Sequence, residues 1–386
     1  MSKLTPGIIA ATLATLTLAA SAGTVTAPKV PAADAPAEES AFDKIWGLTT
    51  LYKSKENPVI QKLAFTGRYH GQYGWVDADE GEYEDWESRR FRLGLSAQIF
   101  EDFELKGEMF SDLNSGGDFY EGFTEVYVAW KPDDAFHLIV GKQKPRFSLD
   151  WSTSSREILT FERNIMLNNF GIDYETGISA SGKAGRFSYF TGVFNNDTGK
   201  RGEESEFGDL GGGFSFIASA SYDLKDALGV DKAVMRADFL HSEHDESDEL
   251  LSRFDNGFAA SFALKQGKLG LITEALYGQG DDGDIWGIYF TPSYDITEKL
   301  QMVARYTHAR SDADALRAQS RYERSVGLSD SGNGDRYNAG YLGLNYYIHG
   351  HRLKLMAGVE FAKLDGGGDG GDYDGVTALA GVRIYW

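Results

Sequence analysis

The fold is decided by the stretch Val376-Thr377-Ala378-Leu379-Ala380-Gly381-Val382-Arg383-Ile384-Tyr385-Trp386. Successive side chains of an extended strand point to opposite faces, so this stretch has one apolar face and one mixed face. The apolar face carries Val376, Ala378, Ala380, Val382, Ile384 and Trp386, and the mixed face carries Thr377, Gly381, Arg383 and Tyr385, with Leu379 as the exception. This pattern is typical of the closing strand of a transmembrane β-barrel, where lipid covers one face and a wet lumen the other. The alternative is an edge strand of a soluble sheet.

The composition limits the possible partners and membrane-crossing elements. After the N-terminal region, no apolar run of the 386-residue chain approaches the roughly 18 residues that a membrane helix needs. The net charge of −20 argues against nucleic acid as a partner, because phosphates require basic side chains. The absence of cysteine excludes disulfides and thiolate-bound metals.

The first residues predict export. Lys3 provides a minimal positive region, residues 8–20 are apolar, and Ala20-Ser21-Ala22 is an A-x-A cleavage site. We therefore expect a signal peptide over residues 1–22, a periplasmic N-terminal linker over 23–60, and an outer-membrane β-barrel over 61–386.

Alternating apolar residues predict a transmembrane antiparallel up-and-down β-barrel of sixteen strands, with fourteen or eighteen as alternatives. Even-numbered connections are mostly short and odd-numbered ones mostly long and polar, which indicates periplasmic turns and external loops; 224–231 and 281–283 fit this pattern poorly. The acidic segments 77–87, 203–209 and 243–249 are then expected to be external. The predicted strands are 61–75, 86–100, 103–113, 121–130, 136–144, 172–182, 186–196, 210–223, 232–241, 256–265, 268–280, 284–294, 299–310, 336–348, 351–363 and 375–386.

The strand faces predict a charged lumen. A charged side chain facing lipid costs about 2–4 kcal/mol near the membrane midplane, so the charged residues of these strands are expected to point inward. The residues expected inside include Arg68 and His70 on the first strand, Arg90 and Arg92 on the second, and Lys354 and Glu360 on the fifteenth.

Residues 142–170 have an unusual composition for an external loop. Their Phe, Trp, Leu and Ile residues are too apolar for a solvated loop, so we expect this third external loop to fold inward and narrow the channel. Basic residues predominate, and arginine pairs well with oxyanions, which favours an anion-selective constriction. The basic residues are Lys142, Lys144, Arg146, Arg156 and Arg163, against Asp150, Glu157 and Glu162. The alternative is that these arginines pair with carboxylates and mainly hold the loop.

Four stretches resemble the phosphate-selective porin O and P family. They are Ser88-Arg89-Arg90-Phe91-Arg92-Leu93-Gly94, Phe100–Glu108, Val140-Gly141-Lys142-Gln143-Lys144-Pro145-Arg146-Phe147, and Glu157–Arg163 with Phe170-Gly171. The resemblance implies a trimeric sixteen-strand barrel with a basic lumen that passes anions.

The sequence thus predicts an outer-membrane porin for passive diffusion of small hydrophilic anions, with phosphate as one candidate. The alternatives are a general or carbohydrate-passing porin, in which Trp151, Phe147 and tyrosines stack on sugar rings, and a non-conducting structural or adhesin barrel. The expected solute-binding residues are Lys142, Lys144, Arg146, Arg156, Arg163, Arg68, Arg90 and Arg92. The expected partners are small anions, outer-membrane lipid, lipopolysaccharide and two further copies of the chain.

Catalytic and metal sites are not expected. No Ser/His/acid constellation is identifiable, and we expect no enzymatic activity and no cofactor. The Gly/Asp-rich segment 365–375 resembles a single calcium repeat, but one repeat lacks stacked neighbours, so a flexible acidic loop is favoured. His241 and His244 form a weak metal signal at a strand end.

Overall fold

A computed structural model describes residues 40–114, 119–196, 206–208, 213–243, 252–328, 333–366 and 372–386. Sixteen antiparallel strands form the barrel wall. They are β1 (Ile60–Ala78), β2 (Gly81–Ile99), β3 (Phe103–Ser111), β4 (Phe123–Asp133), β5 (Phe136–Gln143), β6 (Glu175–Ala184), β7 (Phe187–Asn195), β8 (Phe214–Asp223), β9 (Lys232–Ser242), β10 (Asn256–Gln266), β11 (Leu269–Gln279), β12 (Ile285–Asp295), β13 (Leu300–Ser311), β14 (Arg336–His349), β15 (Leu353–Asp365) and β16 (Tyr373–Tyr385).

The wall is closed, because each strand pairs with its neighbours in sequence and β16 pairs with β1. Trp386 completes the closure: its backbone N–H donates to the carbonyl of Gly67, and the N–H of Gly67 donates back, both at 3.1 Å. Closure removes the open sheet edges that a membrane does not tolerate. The sixteen-strand barrel predicted from the alternation is therefore confirmed.

The predicted inner and outer faces are also observed. On β15, Leu355 and Phe361 are 46% and 61% exposed on the outer surface, whereas Lys354, next to Leu355, is fully buried. On β16, Arg383 is 1% exposed, as expected for its mixed face. The penalty for a charge in lipid thus fixes the phase of each strand.

The connection between the first two strands differs from its prediction. Residues 76–85 were expected to form a long loop, but β1 and β2 continue to Ala78 and Gly81, so that only Asp79 and Glu80 form the turn. Acidic and aromatic residues alternate there, and the hydroxyl of Tyr73 donates to Glu84 at 2.6 Å. A hairpin that rises above the membrane has water available on its surface, so its charges do not prevent strand pairing.

Part of the predicted N-terminal linker is ordered. Helix α1 (Ala41–Gly47) donates a hydrogen bond from the Trp46 indole to the carbonyl of Tyr385 at 2.5 Å. A short strand, Thr50–Lys53, pairs with the start of β1. These contacts place the segment at the barrel end where β16 finishes.

The remaining helices are short and lie in the connections. They are α2 (Leu149–Ser152), α3 (Ile165–Phe170), α4 (Lys225–Leu228) and a 3₁₀ turn (Glu323–Val326). Two residue pairs, Leu316–Arg317 and Asn333–Gly334, form a separate small ladder. None of the helices in the described ranges is long and apolar enough to cross a membrane.

Candidate functional site: a basic path beside two inward-folded loops

The connection from β5 to β6, residues 144–174, lies inside the barrel. Its main chain accepts hydrogen bonds from Lys354 of β15, at the carbonyl of Ile158, and from Asn345 of β14, at the carbonyl of Leu159. Two strands further along the wall from β15, the hydroxyl of Ser155 accepts from Arg68 of β1 at 2.8 Å. A segment that contacts inward-facing residues of several strands around a closed barrel must occupy the lumen.

The start of this connection is held by Glu274 of β11. The buried carboxylate of Glu274 accepts hydrogen bonds from the backbone N–H of Leu149 at 2.5 Å and from the hydroxyl of Tyr289 at 2.9 Å. Ser148, which has a positive φ of 66°, accepts from the N–H of Trp151 and begins α2. A carboxylate that receives backbone donors fixes the position of the chain more firmly than apolar packing alone.

Helix α3 packs its apolar side chains on glycines of the wall. A Cβ atom on Gly257 of β10 would lie 2.8 Å from the ring of Phe170, and one on Gly287 of β12 would lie 2.6 Å from the sulfur of Met166. The helix begins with Asn164, whose side chain accepts from the N–H of Met166. Missing wall side chains therefore create the space that α3 fills.

A second connection, between β13 and β14, also folds inward. In its first described part, residues 312–328, Leu316 and Tyr322 are buried, and the Tyr322 hydroxyl donates to Glu87 of β2 at 2.6 Å. Arg317 and Asn169 exchange hydrogen bonds, which link this connection to α3. The sequence did not predict this inward course, because residues 311–335 are mostly polar.

Buried Glu323 belongs to the second connection and contacts the wall. Its carboxylate accepts from the hydroxyl of Tyr337 at 2.5 Å and from the N–H of Gln319 at 2.7 Å. Burial raises the pKa of Glu323 to about 7, although these two hydrogen bonds oppose the shift.

Basic side chains form a row across four neighbouring strands. The register pairs Lys354 of β15 with Arg383 of β16, Arg383 with His70 of β1, and His70 with Arg90 of β2. All four side chains are at least nine-tenths buried. In the next row Arg68 of β1 pairs with Arg92 of β2. Strand register thus collects basic side chains that are distant in sequence onto one side of the lumen.

One carboxylate, Glu108 of β3, contacts three arginines. Its oxygens lie 3.1 Å from Arg68, 3.3 Å from Arg92 and 3.7 Å from Arg156. Glu108 is completely buried, so the pairs are shielded from solvent. Three guanidinium groups around one carboxylate leave an excess of positive charge.

Glu162 of the inward loop joins a second arginine group. Arg89 donates two hydrogen bonds to its carboxylate, at 2.6 and 2.8 Å, and Arg90 lies at 3.9 Å. Burial alone would raise the pKa of Glu162, but the charge and hydrogen bonds of Arg89, with Arg90, hold it below its usual value. The carboxylate is thus kept ionised beside the arginines.

Between these groups lies a cavity of about 440 Å³. Its wall includes arginines from β2 and from both inward connections, together with three aromatic rings. The arginines are Arg89, Arg90, Arg92, Arg163 and Arg321, and the carboxylates are Glu121, Glu162 and Asp173. The cavity wall therefore has two more basic than acidic side chains.

Some of the predicted solute-binding residues line the cavity, others lie beside it, and two lie elsewhere. Arg90, Arg92 and Arg163 line the cavity, and Arg68 and Arg156 meet Arg92 at Glu108. Lys144 donates to the carbonyl of Thr153 at 3.1 Å and lies over Trp151 at 4.7 Å, next to the cavity.

Lys142 and Arg146 lie elsewhere. The ammonium of Lys142 donates to the carbonyl of Glu206, in the connection after β7. Arg146 lies over the ring of Phe190 at 5.4 Å. Two cavity residues, Arg89 and Arg321, were missed. Arg89 lies in the predicted strand 86–100 with the outward phase of Phe91, but the register between β1 and β2 shifts at this residue. Arg321 lies in a connection expected to be external.

The predicted calcium-like segment and the histidine pair lie partly outside the described residues. Residues 367–371 of the predicted acidic loop, and His244, lie outside the described residues. Within the described ranges, no group of three or more histidine or acidic side chains is arranged to hold a metal ion.

Comparison with known proteins identifies the family. The model of the family "Phosphate-selective porin O and P" matches residues 63–365, whereas no curated protein sequence matches the chain. Similar solved structures include the anion-selective porin from Comamonas acidovorans (13% identity, 84% of this chain and 99% of that chain, TM-score 0.58). A second similar structure is the outer membrane channel DcaP of Acinetobacter baumannii, with 14% identity, coverage of 87% of this chain and 99% of that chain, and a TM-score of 0.54. A third is the trimer form of in-vitro folded OmpT of Vibrio cholerae, with 13% identity, coverage of 84% of this chain and 99% of that chain, and a TM-score of 0.50. With the family model matched over most of the barrel, this chain belongs to the phosphate-selective porin O and P family and is a porin of the Gram-negative outer membrane.

Proposed function

We propose that this porin passes small hydrophilic anions by passive diffusion along the basic side of its lumen. The observation that carries the proposal is the cavity wall, in which five arginines face three carboxylates. Channel selectivity follows the charges at the narrow part of the path, and arginine presents paired donors that fit oxyanions. Phosphate is one anion with this chemistry.

The acidic net charge does not oppose this proposal. Many carboxylates lie near the external turns, for example Glu82 and Glu84 beyond the first turn. At physiological ionic strength, exposed charges are screened beyond about 8 Å, so they contribute little at the centre of a pore. The charges next to the path, including Arg90 and Arg92, therefore decide its selectivity.

The reversal potential of the purified full-length protein in a planar bilayer, under a potassium chloride gradient, tests the proposal. We expect chloride to be preferred, and the double substitution R90Q/R92Q to reduce that preference. R186Q is the matched control, because Arg186 is exposed and pairs with Asp226 near the ends of β7 and β8. A preference for potassium would contradict anion passage, and a lack of conductance would favour the structural barrel.

We further propose a homotrimer surrounded by outer-membrane lipid and lipopolysaccharide. The similar OmpT of Vibrio cholerae is described in a trimer form. The outer surface carries an apolar band that includes Leu342 and Phe361, exposed by 57% and 61%, which suits contact with lipid or another barrel. Export through a signal peptide over residues 1–22 remains part of the proposal.

A further inference from the structure

The arginine-lined cavity also has an apolar wall, which the passage of inorganic anions does not require. Its lining also includes the rings of Phe110, Trp151 and Tyr174, together with Leu167 and Ile172. Phe110 belongs to β3, whereas the other four residues belong to the inward loop between β5 and β6. Two separate elements therefore contribute apolar surface to one cationic cavity.

The aromatic rings hold the cations in fixed positions. The guanidinium of Arg92 lies 4.9 Å from the ring centre of Tyr174 and 5.9 Å from that of Phe110. Arg163 lies 5.2 Å from the ring centre of Trp151. A guanidinium stacked on a ring keeps its in-plane N–H groups available and is weakly hydrated, which favours pairing with a carboxylate.

Some donors beside the cavity are not used by the protein. Nη1 of Arg90 and Nε of Arg92 are buried and have no hydrogen-bond partner among the described residues, and the same holds for the indole N–H of Trp151. Arg90 itself is more than nine-tenths buried. Buried donors normally have partners, so these three groups leave the wall of the cavity short of hydrogen-bond acceptors.

The size of the cavity fits an organic solute. Its volume of about 440 Å³ falls in the range of roughly 300–1,000 Å³ that is common for small-molecule sites. Such sites combine apolar surface, which holds the body of a ligand, with a few polar groups that orient it. A hydrated inorganic ion would use the arginines but would gain nothing from the rings.

We propose that this cavity selects small organic anions that join a carboxylate to a flat aromatic body. The carboxylate pairs with Arg90 and Arg92, and the ring packs against Phe110 and Trp151. This inference rests on the proposed anion passage and specifies the solute class for the same path.

Block of the chloride current by two carboxylates that differ in their ring tests the inference. Benzoate and acetate carry the same charge, and only benzoate has an aromatic ring. We expect benzoate to halve the single-channel chloride current at a concentration roughly tenfold lower than acetate, which corresponds to about 1.4 kcal/mol. Benzamide, which has the ring without the charge, should block far less than benzoate.

Two cavity variants and one control locate the effect. W151A and F110A should each reduce the difference between the concentrations of benzoate and acetate that halve the chloride current. F110A does so without altering the inward loop. W286A is the control, because Trp286 is exposed on the outer surface of β12 and should leave the ratio unchanged.

Equal block by benzoate and acetate, or an unchanged ratio in both cavity variants, would overturn the inference. Block by benzamide or glucose as strong as that by benzoate would also overturn it and favour uncharged solutes. The reversal potential of the same channels separates the two proposals: chloride preference with equal block contradicts only this inference, whereas potassium preference contradicts the proposed function.

Discussion

The inner wall of the barrel differs between its two sides, although both follow the same alternation. On the side formed by β15, β16, β1 and β2, the inward positions carry Lys354, Arg383 and Arg90. On the side formed by β10 to β12, inward positions carry glycines such as Gly257 and Gly287, which contact α3. The outer surface carries exposed apolar side chains on both sides, for example Phe361 of β15 and Phe258 of β10.

This difference determines where the loops and the path lie. Apolar loop side chains gain free energy only where wall side chains leave space, and the glycines provide that space. Buried cations need carboxylates, water or a solute, so the basic side retains a cavity. Local composition of the inner face therefore places apolar packing of α3 beside the glycines of β10 and β12, and a polar cavity beside the arginines of β2.

The largest expected effect is on the basic side, at Glu108. Its replacement by glutamine (E108Q) would leave Arg68, Arg92 and Arg156 without their shared carboxylate. Removing one partner of a buried ion pair costs about 3–5 kcal/mol, so we expect a lower unfolding temperature and a stronger preference for chloride. The unfolding temperature is measured by the shift in gel migration after heating, and the preference for chloride by the reversal potential.

E104Q is the control for Glu108. Glu104 lies on the same strand but is partly exposed, and pairs with Lys131 at 2.8 Å. E104Q should therefore lower the unfolding temperature much less than E108Q does. Unchanged selectivity in E108Q would show that the three arginines do not contribute to the path.

The second connection should respond to pH through Glu323, whose pKa is raised to about 7. The carboxyl of Glu323 has a higher pKa when the connection is bound inside the barrel than when it is released into water. The bound position is therefore most stable below about pH 4.5, and it loses stability as the pH rises through 7. The free energy that holds the connection inside the barrel falls by roughly 3 kcal/mol over this range, at about 1.4 kcal/mol per unit of pKa difference. We therefore expect the single-channel conductance to rise between pH 5 and pH 8.

E323Q should remove this dependence, whereas E298Q, at an exposed turn between β12 and β13, should retain it. A conductance that rises equally in E323Q would assign the pH response to another group.

On the packed side, G257V should disturb the docking of α3. The new Cβ would lie 2.8 Å from Phe170 and 3.1 Å from Phe147, and overpacking of this kind costs about 1–3 kcal/mol. We expect larger fluctuations of the open-channel current, because the loop leaves its position more often. G340V is the control, since a Cβ added at Gly340 of β14 would meet no heavy atom within 4 Å. Equal fluctuations in both variants would contradict the role of Gly257.

The sequence predicts those features that the membrane imposes on each strand separately. The outward positions of Leu355 and Phe361 and the inward position of Arg383 follow from alternation alone. The row from Lys354 to Arg90 depends on register between strands, which alternation does not specify. The inward course of Tyr322 was missed because it depends on space beside Gly74, which exists only after the barrel has closed.

The smallest effect on the pore is expected for deletion of Trp386. Its ring lies outside the lumen, stacked 6.1 Å from Phe65, and its backbone pairs with Gly67 of β1. The deletion removes two closing hydrogen bonds and this ring contact, so less protein should reach the membrane. Arg383 and the cavity are untouched, so the conductance of the inserted channels should not change. W286A, which removes another outward tryptophan away from the closing seam, should insert at the normal level. Altered conductance with normal insertion would place Trp386 in the path rather than in closure.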